Sequence, residues 1–154
     1  MKINELFNEL KEKECYTSFI LENADAFLTT GFFLLAREEK EGDSLQLDFY
    51  LPKEEKMVSF EYPFTQSKKH DDIITDCVPL HVENLSVDLD TVRDVVEAEF
   101  KKEFGKIILV FQRGVWNVTA IDGVDLKRCK IEAASGEILE SGNLSLNDVV
   151  RIKK

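Results

Sequence analysis

Ser44-Leu45-Gln46-Leu47-Asp48-Phe49-Tyr50-Leu51 is the stretch that decides the fold. Leu45, Leu47, Phe49 and Leu51 alternate with Gln46, Asp48 and Tyr50, and a period of two puts the four apolar side chains on one face of a sheet. Glu41-Gly42-Asp43 before it and Pro52-Lys53-Glu54-Glu55 after it have the turn chemistry of hairpins. Outward from these turns, 26–37 and 57–62 are again short runs rich in Phe, Leu and Thr. Beyond Asn23-Ala24-Asp25, the run 16–22 reads the same way. Four strands in an antiparallel meander are expected. Ahead of them Ile3, Leu6, Phe7 and Leu10 recur at i, i+3, i+4 and i+7, which predicts a short amphipathic helix over 1–13.

The second half repeats this order. Asp88 or Asp90 can cap a helix whose apolar face is Val92, Val95, Val96, Phe100 and Phe104, with Gly105 as its stop. Strands are expected at 106–112, 115–121, 126–133 and 137–139. Arg113-Gly114, Asp122-Gly123 and Ser135-Gly136 are hairpin turns between them. Between the halves, 63–86 holds Pro63, a polar Thr65 to Lys69 run and Pro79, and reads as a connecting segment with room for a short strand at 80–82. The expected fold class is therefore α+β. It consists of two helix-plus-antiparallel-sheet units, 1–62 and 87–154, whose common element order suggests an internal duplication.

Trp116-Asn117-Val118, Asp122-Gly123 and the run Ile131 to Leu139 together resemble the PepSY-like unit, a helix packed on a small antiparallel sheet of cystatin-like shape. That family's sheet often carries a segment of the type I-D-A-x-T-G-E-I. Glu132 and Ser135 stand here for its usual Asp and Thr. The resemblance spans 88–141 and implies a binding or inhibitory role, since such units are associated with peptidase propeptides and inhibition.

Charge narrows the function classes. Of the 154 residues, 20 are Lys or Arg and 30 are Asp or Glu, a formal −10. Residues 1–85 carry −9 of this and 86–154 carry −1. Such a surface opposes phosphate backbones and anionic lipid, so neither nucleic acid nor membrane is expected as a partner. The longest apolar run, 32–36, is far short of the roughly 20 residues that cross a bilayer. The first ten residues show no continuous apolar region of a secretion signal, and three cysteines without C-x-x-C spacing suit reduced thiols. A cytoplasmic protein is expected.

Candidate chemistry gathers in the connecting segment. His70, Asp71, Asp72, Asp76, Cys77 and His81 are all of ligating type, with His70, Asp72, Cys77 and His81 the best metal candidates, although their spacing matches no standard zinc arrangement. Cys77 with His70 or His81 is the one conceivable nucleophile–base pair, whereas Cys15 and Cys129 read as small buried apolar residues. Neither Gly-x-Ser-x-Gly nor a phosphate-cradling glycine loop is found, and no cofactor is expected. Trp116 belongs in the core against Val96 or Phe100, or else lines a peptide groove. The run 127–130 reads as the solvated face of a strand.

These readings favour a non-enzymatic binding or regulatory protein that meets a protein or peptide through sheet surfaces or an exposed strand edge. A small enzyme or metal-binding protein using the segment from His70 to His81 is the alternative. Val58, Phe60, Tyr62 and Phe64 share one apolar face, which either forms a homodimer or covers the N-terminal helix.

Overall fold

A computed structural model describes residues 1–38 and 42–144. It contains three short helices, α1 (Ile3–Lys11), α2 (Glu14–Glu22) and α3 (Val92–Phe100). The strands are β1 (Phe27–Ala36), β2 (Ser44–Leu51), β3 (Lys56–Glu61), β4 (Ser67–Lys69), β5 (Lys106–Gln112), β6 (Val115–Asp122), β7 (Asp125–Glu132) and β8 (Ile138–Leu144). All eight belong to one sheet in the order β4-β3-β2-β1-β5-β6-β7-β8. Every neighbouring pair is antiparallel.

The expected pair of separate helix-plus-sheet units, with its duplicated cystatin-like plan, is thereby corrected. Two meanders stand back to back, joined where Thr30 to Ala36 registers with Gln112 to Lys106. The physical reason lies in composition. β1 (FLTTGFFLLA) and β5 (KIILVFQ) are close to continuously apolar, so either would be a poor edge strand, and pairing them places both at the centre. Glu41 of the first turn and residues 145–154 of the expected second unit lie outside the described residues.

One core serves both halves. Ile3, Leu6 and Leu10 of α1, Phe19 of α2, and Val92 and Val96 of α3 are buried in a single cluster with Phe33, Phe49, Phe60, Leu109, Phe111, Trp116 and Ile131 of the sheet. Gly31 lets β1 sit tightly in it, because a Cβ there would lie 2.6 Å from the Phe33 ring, which covers the glycine. Asp88 ties the halves further: its buried Oδ1 accepts from the Ile3 N–H at 2.8 Å and the Leu89 N–H at 2.7 Å. Its backbone carbonyl accepts from Thr91 and Val92 as α3 begins.

Local expectations are corrected in three places. Residues 16–22 form a helix rather than a strand, because Tyr16, Phe19 and Ile20 have helical spacing. Tyr16 and Phe19 meet Phe49 and Phe60 with ring centroids 5.2 to 6.2 Å apart. Helix α3 stops at Lys101, in the left-handed region at φ 53°, ahead of Gly105. The connecting segment contributes β4, which pairs with β3 through Phe60↔Ser67 and Val58↔Lys69, while 80–82 forms no strand.

Of the face of 57–64 expected either to form a dimer or to cover the N-terminal helix, three residues are covered within the chain and Tyr62 is exposed. Val58, Phe60 and Phe64 are buried, and the Cys15 thiol donates to the Phe64 carbonyl at 3.2 Å. No helix among the described residues is long and apolar enough to cross a membrane.

Candidate functional site: the sheet face opposite the helices

The helices lie on the face that carries Phe33, Phe49 and Trp116, so alternation sends the intervening side chains to the other side. Register fixes the rows there. One row runs Gln46, Phe32, Val110, Asn117, Lys130 and Glu140, and the next runs Ser44, Leu34, Ile108, Thr119 and Arg128. Phe32 is 39% exposed, and Leu34, Ile108 and Val110 are half-buried. Beside them Ile108, Val110, Asn117, Thr119, Arg128 and Glu140 line a hollow of about 210 Å³. At its rim Arg128 Nη2 stands 2.8 Å from Glu140 Oε1, and Lys130 Nζ stands 3.8 Å from Oε2. Two cations thus share one carboxylate.

Trp116 is absent from this face. It is buried in the core, stacked on Phe111 with centroids 4.4 Å apart, and its indole N–H donates to the Val87 carbonyl at 2.8 Å. Cys129 is buried on the same side, and burial pushes its thiol up to about 11.

A polar cluster occupies the corner of this face over which the chain after β4 runs, so that Asp48, Tyr50 and Ser59 are buried there and Tyr50 Oη donates to the Ile74 carbonyl at 2.7 Å. Asp48 and Ser59 are cross-strand partners on β2 and β3, and His70 follows β4 with its backbone N–H on the Met57 carbonyl. Ser59 Oγ donates to Asp48 Oδ1 at 2.6 Å and lies 2.7 Å from His70 Nε2. Gln46 Nε2 donates to the same carboxylate oxygen at 2.8 Å. The single hydroxyl proton is committed to Asp48, so His70 must be the donor to Ser59, a tautomer assigned from the bonding pattern. In a hydrolytic triad the imidazole stands between the hydroxyl and the carboxylate; here the hydroxyl stands between the other two. This cluster stitches β2, β3 and the chain after β4. Burial pushes the Asp48 carboxyl up, against the Ser59 and Gln46 hydrogen bonds and the His70 charge.

The candidates from the connecting segment are spread out. His70 bonds Ser59, whereas Asp72 is exposed. Cys77 lies in a crevice of about 330 Å³ with Thr29, Thr75, Gln112 and Arg113, while His81 lines another of about 470 Å³ with Val78, Pro79, Arg113 and Gly114. Among the described residues no group of three or more His, Cys, Asp or Glu could hold a metal ion. Burial pushes the Cys77 thiol up, against its Thr29 hydrogen bond and the Arg113 charge, which disfavours the reactive thiolate.

Sequence reasoning passed over Gln46, Asp48 and Ser59. Gln46 and Asp48 share a face at i and i+2, but only the β2–β3 register shows that Ser59 stands opposite Asp48.

No family model matches the chain, and no curated protein matches it. Among solved structures, a Clostridium difficile 630 protein described as a candidate lipoprotein superposes with a TM-score of 0.57. The match covers 84% of this chain and 90% of that one, at 9% identity. At that identity the likeness is one of fold.

Proposed function

We propose that the protein is a non-enzymatic binding protein that takes a peptide segment of its partner on the sheet face opposite the helices, where β1 and β5 present apolar side chains that no helix among the described residues covers. The observation that carries this reading is the apolar group Phe32, Leu34, Ile108 and Val110, facing solvent at the centre of an eight-stranded sheet. A sheet face left to water is ordinarily polar, and contiguous apolar surface marks interaction sites. Arg128 and Lys130, with one carboxylate between them, favour a segment that combines apolar and acidic side chains. A cytoplasmic setting accords with Cys15, Cys77 and Cys129 as free thiols.

Selection from a random peptide library tests the reading, with the Phe32→Lys, Val110→Lys double variant as counter-selection. Acidic–apolar peptides that bind the wild type and bind a folded variant at least about tenfold more weakly are expected. Recovery of no binders, or of binders indifferent to the two substitutions, overturns it.

A further inference from the structure

Arg113 stands where arginine is a poor choice. It opens the two-residue β5–β6 turn with φ 52°, and Gly114 follows with φ 77°. Consecutive positive φ values are those of a type I′ hairpin turn, whose first position favours Asn, Asp or Gly because a larger L side chain is strained there. The guanidinium reaches across the end of the sheet, where Nη2 donates to the Asp76 carbonyl at 2.5 Å. Asp76 is itself left-handed, with φ 64°.

Arg113 lines both the crevice of about 330 Å³ and that of about 470 Å³. The first is lined by Gln112 and Thr75 but also by Asp76, whose carboxylate disfavours an anion there, while the second has no acidic residue and adds His81 and an apolar wall of Val78 and Pro79. The ion pairs among the described residues engage Arg37, Lys69, Arg93, Lys102, Lys127, Arg128 and Lys130, and none engages Arg113. Among the described residues this guanidinium has no carboxylate within ion-pair distance, in a chain with a formal charge of −10. One of its five N–H donors holds Asp76, which leaves a fork for an oxyanion.

We propose that Arg113 anchors a binding site for a small organic carboxylate, whose apolar part lies on Val78 and Pro79. The wall decides the class: a free phosphate would gain nothing from apolar surface, whereas an aliphatic or aromatic acid buries its hydrocarbon there. This site is independent of the peptide-binding reading of the sheet face.

Titration of the full isotope-labelled chain with benzoate, benzamide and inorganic phosphate, followed by amide NMR shifts, tests it. Benzoate is expected to give saturable shifts at 74–81 and 112–114, with phosphate and neutral benzamide roughly tenfold weaker or more. Arg113→Asn restores the favoured Asn-Gly turn, so it is expected to melt no lower than the wild type while losing benzoate binding by roughly tenfold or more. Absence of saturation, equal binding of benzamide or of phosphate, or retained binding by Arg113→Asn overturns the proposal. A clearly lower melting temperature for that variant also overturns it, by showing that the arginine is retained to hold Asp76.

Discussion

Glu97 shows how one carboxylate joins a helix to the centre of the sheet. On α3, it accepts from the Arg37 guanidinium just beyond β1 and from the Phe104 N–H at 2.7 Å, with Arg93 3.6 Å away. Burial opposes its charge, but the Arg37 and Phe104 hydrogen bonds and the charges of Arg37 and Arg93 outweigh that and hold its carboxyl below the usual range. A carboxyl depressed by folding stabilises the protein above its unfolded-state value, and this stabilisation is lost as pH falls through the folded value. Glu97→Gln is accordingly expected to lose about 1–2 kcal/mol at pH 7. Its deficit should close in acid, as the pH falls below the ordinary glutamate range and through the depressed value of the folded state. Denaturant titrations of both proteins across that range check this, and a deficit that persists unchanged in acid would contradict it. Asp48 has the opposite sign. Its raised carboxyl detracts from stability above the folded value, an effect relieved as pH falls.

Among the elements, legibility followed the match between local pattern and local environment. β2 was readable because Leu45, Leu47, Phe49 and Leu51 meet the core on one face, and the alternation records that contact directly. α2 was not, because Thr17, Phe19 and Ile20 favour strands by propensity, and what overrides them is the ring cluster formed with β2 and β3. Phe19 and Phe60 are edge to face at 5.2 Å, and Phe49 and Phe60 at 5.5 Å. Phe19→Ala removes the one buried side chain of α2 and is expected to cost about 3–5 kcal/mol. Equilibrium unfolding in urea measures it; a loss under about 1 kcal/mol would mean that α2 is not held by this cluster. The candidate site was partly legible for the same reason. His70 stood out as one of only two histidines, but its partners Ser59 and Asp48 lie 11 and 22 positions back in the chain and meet it only through strand register.

At the scale of the whole molecule, the decisive contact is the one least visible in the sequence. β1 and β5 pair across some 70 to 80 positions, and the polar, Pro-containing stretch 63–86 reads locally as a boundary although it contains β4. Its later residues also bind both halves: Leu80 N–H donates to the Leu28 carbonyl, and Ser86 Oγ to the Ala134 carbonyl at 2.6 Å. The second half leans on the first where Trp116 packs on Phe33 at 5.9 Å and Asp88 holds the start of α1. Cutting the chain at 87 would strip β5 of its neighbour and expose Ile107, Leu109 and Phe111 along an open edge. The thermal melt of the isolated fragment 87–154, set beside that of the full chain, is the most direct measurement. A shared core predicts a single cooperative transition for the full chain and none for the fragment, whereas a cooperative fragment melt near the full-length temperature would contradict it.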